Sequence, residues 1–274
     1  MTGSIRDLFR AEVGRGGFDL TQIDTEPTAG VGKHKAAKEI ARDQARLLRW
    51  QERLTAEASR ALLIVLQGMD TAGKDGTISH VIRSMNPQAC RITAFKEPTT
   101  RELAHDFLWR IRRALPAAGQ VGVFNRSHYE DVVIVRVNSL VPEDVWRPRF
   151  ARINRFEKRL RASGTMVVKI FLHISFEEQR RRLLKRLEDP DKHWKFEPGD
   201  LDKRDQWASY MAAYGDAIAR CSTDAAPWYV VPSDAKWFRN WAVGRLLLET
   251  LQEMDPLYPE PALDISALEA RLEK

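Results

Sequence analysis

Cysteine is scarce in this chain. Cys90 and Cys221 are the only two among 274 residues, far apart and outside any CxxC pattern. That argues against a disulfide framework and for a cytoplasmic address. Long hydrophobic runs are also lacking. The longest, Ala61–Leu66, is too short to span a bilayer. The opening MTGSIRDLFR carries charges where a signal peptide needs an apolar stretch. No internal repeat is visible. What the chain does have is 43% apolar and 30% charged residues, an ordinary globular balance. Its length fits one large domain or two small ones.

The net charge of +6 hides an asymmetry. Val145–Phe196 holds fifteen Lys/Arg against six Asp/Glu, and the remainder is slightly acidic. Such a block points to a polyanionic partner, with a solvated helix face as the plainer alternative.

Residues 1–34 read as an arm over the surface. Residues 35–59 read as an amphipathic helix with Ile40, Leu47, Leu48 and Leu54 on one stripe. Short apolar runs follow at Ala61–Gln67, Arg91–Phe95, Val121–Phe124, Met166–Ile174 and Trp228–Val231, the pattern of strands buried on both faces. Helical stretches are expected near 77–85, 100–114, 143–162, 176–187, 202–220 and 235–251, the last capped by Ser233 or Asp234. Alternating strands and helices predict an α/β fold with a parallel sheet. The segment from Asp255, with a short helix-like SALEARLEK, reads as a tail, either a surface helix or a subunit-packing one.

Directly after the first strand comes Gly68-Met69-Asp70-Thr71-Ala72-Gly73-Lys74, which fits GxxxxGK. Backbone N–H groups of such a loop cradle phosphate oxygens, and the following helix adds its positive dipole end. Lys74 reaches terminal oxygens as a point charge. The position after the lysine usually carries a hydroxyl; here it is Asp75, and the nearest hydroxyl is Thr77. A carboxylate at Asp70 would repel phosphates unless a cation sits between, which makes it a candidate magnesium ligand. The alternative is an Asp that caps its own loop. Past the third strand lies Asn125-Arg-Ser-His-Tyr-Glu-Asp131, in the position that faces the ligand crevice of an α/β sheet. Arg126 suits a transferring phosphoryl group. Glu130 or Asp131 suits magnesium or acceptor positioning.

The stretches GMDTAGKDGT (68–77), FKEPT (95–99), FNRSHYEDV (124–132), EEQRRRLLKRLEDPDKHWKF (177–196) and VPSDAKWF (231–238) resemble the polyphosphate kinase 2 family in order and spacing. FNRSHYEDV looks like its class III branch, which accepts nucleoside mono- and diphosphates; other branches have Asp where Asn125 stands. The resemblance implies a thymidylate-kinase-like P-loop fold with a five-stranded parallel sheet and a helical lid at about 177–200, within a domain spanning 35–254. It implies magnesium-dependent transfer of the terminal phosphate of inorganic polyphosphate to AMP or ADP. By the same resemblance Asp70, Lys74, Arg126, Arg182 and Arg186 would be catalytic. Gly68, Met69, Thr71, Ala72, Gly73, Asp75, Gly76, Thr77, Lys96, Asn125, Glu130 and Lys195 would contact substrates, and Asp70 and Asp131 would hold metal. A homo-oligomer is expected, with no nucleic-acid or membrane partner.

Read without the family, Ser175 caps a helix with Glu178 three residues on. Arg182 and Arg186 then share one face, placed to grip phosphate oxygens. Lys192, His193 and Lys195 follow in a Pro-broken loop, where Trp194 is the one tryptophan suspected of touching ligand. His128 and His193 raise the possibility of a phosphohistidine, but a P-loop kinase needs no covalent intermediate, and direct in-line transfer is expected. Two rivals are an ATP-dependent nucleotide kinase on the same fold and a nucleic-acid binder using the basic block. The second leaves the phosphate loop unexplained and lacks interleaved stacking aromatics.

Overall fold

The computed structural model describes residues 4–14, 16–27 and 29–273. The chain runs α1 (Ile5–Phe9), α2 (Lys33–Glu57), β1 (Ala61–Gln67), α3 (Lys74–His80), β2 (Cys90–Ala94), α4 (Thr100–Leu103), α5 (Trp109–Ala114), β3 (Val121–Asn125), α6 (Glu130–Val137), α7 (Glu143–Trp146), α8 (Arg149–Ala162), β4 (Thr165–His173), α9 (Phe176–Glu188), α10 (Gly199–Asp205), α11 (Trp207–Cys221), β5 (Trp228–Pro232), α12 (Lys236–Met254) and α13 (Ile265–Leu272).

The five apolar runs pair into one parallel sheet in the order β2-β3-β1-β4-β5. β1 and β5 are buried at every position, as strands covered on both faces must be. The register sets Leu66 beside Asn125 and Gln67 beside Phe171. The carboxyl ends of β1 and β3 therefore fall within one residue of each other, and β4 runs two residues further, to His173. The strand order reverses around β1, and a crevice at such a point is where α/β sheets bind ligands.

The amino-terminal arm joins the core, burying Ile5, Phe9 and Leu20. The Ala11 amide donates to the Trp228 carbonyl at 2.8 Å, and Arg10 bridges Tyr229 antiparallel. The arm thus covers the open edge of β5. α13 buries none of its residues.

Three long expected helices are each two. The 100–114 stretch breaks where the Asp106 carboxylate accepts the Leu108 amide at 3.2 Å and turns the chain. Pro148 separates α7 from α8. Gln206, with φ −92° and ψ 18°, divides α10 from α11. The first of the series begins earlier than expected, at Lys74, and gives way to a 3-10 turn at Ile82–Ser84. α6 was not expected: its valine-rich segment has weak helix propensity and is held by packing on α11. The cap of α12 is Ala235 rather than Ser233 or Asp234. The Asp234 carboxylate instead accepts from Thr25 and the Ser175 amide.

Candidate active site

The turn from β1 into α3 fixes the centre. Gly68 has φ +146°, and a Cβ there would sit 2.7 Å from the Leu172 carbonyl of β4. Only glycine allows the loop to leave the sheet so close to its neighbour. Gly73 has φ +111° and precedes Lys74, the first residue of α3. The Lys74 ammonium is buried and donates to the carbonyls of Gly68 (2.7 Å) and Met69 (3.2 Å). Burial lowers its pKa, opposed chiefly by the Asp70 carboxylate.

Asp70 is held from two sides. Its Oδ1 accepts from Arg126 at 3.0 Å and its Oδ2 from Lys203 of α10 at 2.7 Å. Burial alone would raise its pKa, but Lys74, Lys203 and Arg126 together hold it well below the usual carboxylate range. Arg126 sits at φ +63°, an uncommon conformation for a residue with a side chain. Its amide is anchored on the Leu66 carbonyl, and its guanidinium lies 3.8 Å from Glu130. Glu130 is raised by burial against the pull of Arg126 and Lys74.

The two departures from the usual motif pair with each other: Asn125 donates to the Asp75 carboxylate at 2.7 Å. Asp131 lies elsewhere. Its carboxylate is 3.5 Å from Arg149 and 4.0 Å from Arg110, and burial pushes it up to about 6 despite them. Arg110 also donates to the Lys96 carbonyl at 2.8 Å, tying FKEPT to this cluster, while the Lys96 side chain is exposed. Thr77 is buried, and its hydroxyl finds no partner among the described residues; the same holds for the Thr71 and Ser233 hydroxyls.

The two arginines expected to work as a pair do different things. Arg182 donates to Glu178 (2.6 Å), to the carbonyls of Thr71 (2.9 Å) and Ala72 (3.3 Å), and to those of Ser233 (2.6 Å) and Asp234 (2.7 Å). Every nitrogen of its fork is used, and it braces the phosphate loop from behind. Arg186 is more open and, among the described residues, donates to the Lys195 carbonyl (2.9 Å) and Asp200 (3.3 Å). Lys195 and Trp194 stand exposed on the 3-10 turn Pro190–Lys195, with the ammonium 4.9 Å from the indole ring centre. His193 lies on the same turn, its ring against the Leu187 carbonyl. His128 is fully buried, with Nε2 3.2 Å from Glu157, and presents no ring nitrogen to a ligand.

Three contributors were missed in sequence: Lys203, Asp200 and Arg239. Burial and the nearby Asp70 raise the Asp200 carboxyl. Lys203 also lines a cavity of about 530 Å³ together with Asn138, Asp202 and Gln206. All three lie far along the chain and outside any motif with a known spacing, so only the fold brings them in. Asp70 and Asp200 are the carboxylates that could hold a divalent cation here, and both are already paired with cationic side chains. Asp70 and Asp200 supply hard oxygens, and no group of three or more His, Cys, Asp or Glu fit to hold a metal occurs among the described residues. Magnesium needs only one or two carboxylates and completes its shell with water and phosphate oxygens.

The chain is similar to known proteins. A family model described as polyphosphate kinase 2 matches residues 30–258. The AMP/ADP-polyphosphate phosphotransferase of Meiothermus ruber is 47% identical over 248 residues, 90% of this chain and 93% of that protein. The ADP-polyphosphate phosphotransferase of Rhodopseudomonas palustris is 43% identical, covering 81% of each. The crystal structure of polyphosphate kinase 2 from Arthrobacter aurescens superposes with a TM-score of 0.95 at 45% identity, covering 99% of this chain and 97% of that one.

Proposed function

The chain belongs to the polyphosphate kinase 2 family, and from that premise we propose that it moves the terminal phosphoryl group of inorganic polyphosphate onto AMP or ADP. The observation that carries this reading is a phosphate loop whose Asp70 is held between Arg126 and Lys203, beside cations that a single small anion would leave unmatched. Similarity to proteins named for the same reaction supports it.

In the transfer, a terminal phosphate oxygen of the nucleotide attacks the end phosphorus of the chain. The new P–O bond forms as the bond to the bridging oxygen breaks, and that oxygen leaves with its electron pair on the shortened polyphosphate. Lys74, Arg126 and Arg186 spread the charge that develops on the transferring group. Magnesium, when bound, neutralises phosphate charge; Asp70 would hold it, with Asp200 as the second carboxylate and Asp131 keeping the acceptor-side arginines in place. Lys203 and Arg126 hold Asp70 ionised and aimed at the loop. Buried His128 favours direct transfer over a phosphohistidine. A cytoplasmic homo-oligomer without a membrane or nucleic-acid partner is the expected setting.

The experiment is ADP, magnesium and polyphosphate without ATP, watching for ATP, and the same with AMP for ADP. Wild type is expected to make the product. Lys74→Ala should lower turnover roughly a hundredfold or more. Product formed only when ATP is supplied as donor would favour an ordinary nucleotide kinase.

A further inference from the structure

Among the described residues, one buried charge has no opposite. Arg239, in the first turns of α12, is 3% exposed. Its guanidinium packs on the glycines of the phosphate loop: a Cβ at Gly73 would collide with it, and one at Gly76 would come within 2.7 Å of Nη2. Nε and Nη2 donate to the neutral amide oxygen of Asn240, at 3.2 and 2.8 Å. Among the described residues no carboxylate pairs with it and Nη1 makes no hydrogen bond. Burial and the neighbouring Arg182 pull its pKa down to about 10, still charged at neutral pH. An uncompensated buried cation is costly, and proteins keep one where a ligand supplies the missing charge.

Arg239 does not stand alone. Lys236, one turn earlier, feels Arg182, Arg239 and Lys185 as like charges, and its pKa falls through partial burial and through them. The acids nearby are Glu178, already bonded to Arg181 and Arg182, and Asp234, whose carboxylate accepts from Thr25 and the Ser175 amide. Beside this cluster the Thr71 and Ser233 hydroxyls are also without partners among the described residues. The β3 side of the loop is different, since there Asp75, Glu130 and Asp131 interleave with Asn125, Arg126, Arg110 and Arg149. A mixed surface suits a nucleotide, whose ribose and base carry no charge. A surface on which cations outnumber acids already tied up by other donors suits a repeating polyanion.

We propose that Arg239 binds a phosphate of the donor polyphosphate on the α12 side of the loop, and that Lys236 and Lys185 carry the chain outward from it. This rests on the polyphosphate reading above, and it assigns donor and acceptor to opposite sides of β1. Arg239 is then a binding residue whose missing counter-ion is the substrate.

The test is thermal unfolding of the full chain with no ligand, with ADP, and with linear polyphosphate, alongside steady-state kinetics. Arg239→Met is expected to melt at or above the wild-type temperature without ligand, because a costly buried charge is removed. Its polyphosphate-induced rise should vanish while the ADP-induced rise persists, and KM for polyphosphate should increase at least tenfold with KM for ADP within twofold. Lys236→Ala, at an exposed position, should raise KM for polyphosphate about threefold by the same selectivity. An Arg239→Met protein that melts lower yet keeps its polyphosphate-induced rise would make the arginine a prop for Gly73, and the proposal would fall. The same follows if Lys236→Ala weakens ADP and polyphosphate equally. If wild type neither uses nor is stabilised by polyphosphate, the functional reading itself fails.

Discussion

Two arginines one helical turn apart on α9 illustrate how chemistry is decided residue by residue. Both were expected at the phosphates, and spacing alone places them on one face. Arg182 satisfies four backbone carbonyls and one carboxylate. Removing it leaves those acceptors buried without donors, so Arg182→Ala should cost about 3 kcal/mol of stability and lower turnover as the loop loosens. Arg186→Ala should leave the melting temperature near wild type and cut turnover at least tenfold, an interaction made mainly in the transition state being lost. Equal melting temperatures for the two variants would contradict this division. Asp131 gives a pH signature. Its carboxyl is raised from 3.8 to about 6 in the folded chain, so the folded state holds that proton more tightly. The stabilisation this brings is present below about pH 4 and is lost as pH rises through 6. Asp131→Asn should therefore gain in melting temperature relative to wild type between pH 4 and 7. Parallel curves across that range would show a solvated carboxyl.

At the scale of elements, the turn from Arg126 into α6, which begins at Glu130, is pinned by a buried network beneath it. Lys169 of β4 donates to Tyr129 (2.8 Å), Glu157 of α8 (2.6 Å) and the Cys221 carbonyl (2.7 Å). Glu157 also accepts from Tyr129 at 2.9 Å and contacts His128. Burial would raise the Glu157 carboxyl, but Lys169 and His128 hold it low. Glu157→Gln leaves a buried ammonium unpaired and should cost about 3–5 kcal/mol in denaturant unfolding. Adding Lys169→Met should recover much of that loss; a double variant as unstable as the single would show that the pair is not the source. The sheet itself was legible in the sequence because four short apolar runs, fully or mostly buried, read as strands in its interior, and a fifth, largely exposed run takes the edge as β2. The phosphate loop was legible because its glycines are required by backbone geometry. The helix breaks at Asp106 and Gln206 were not, since they depend on a side-chain bond or a single backbone kink within otherwise helical composition. Lys203, Asp200 and Arg239 were not legible because their meaning comes from α10 and α12 folding back onto the phosphate loop and Arg186. The buried network was hidden for a similar reason: Lys169 sits inside an apolar run and reads as an interruption until Glu157 is placed beside it.

Across the whole molecule, the basic block of the sequence does not form one surface. β4 divides it. On the α8 side, Arg149 and Arg152 are bound to Asp131 and Asp106, and others such as Arg155 stand exposed away from the loop. On the α9 side, Lys185 acts as a like charge on Lys236, one turn before the Arg239 that packs on the phosphate-loop glycines. The count of fifteen basic residues therefore overstates the track available to a polyanion, and the cations outside the block add to it. Salt separates these contributions. A long polyphosphate releases counterions as it meets spaced cations, so its apparent affinity should fall steeply with ionic strength, by analogy with nucleic acids. ADP, which carries few charges, should show a shallow slope. Lys236→Ala or Lys185→Ala should each reduce the polyphosphate slope by roughly one in log KM against log salt, whereas Arg155→Ala should leave it unchanged. If Arg155→Ala flattened the slope as much as Lys236→Ala, the chain would be attracted by the charge of the whole block rather than by a track on the α12 side of the loop.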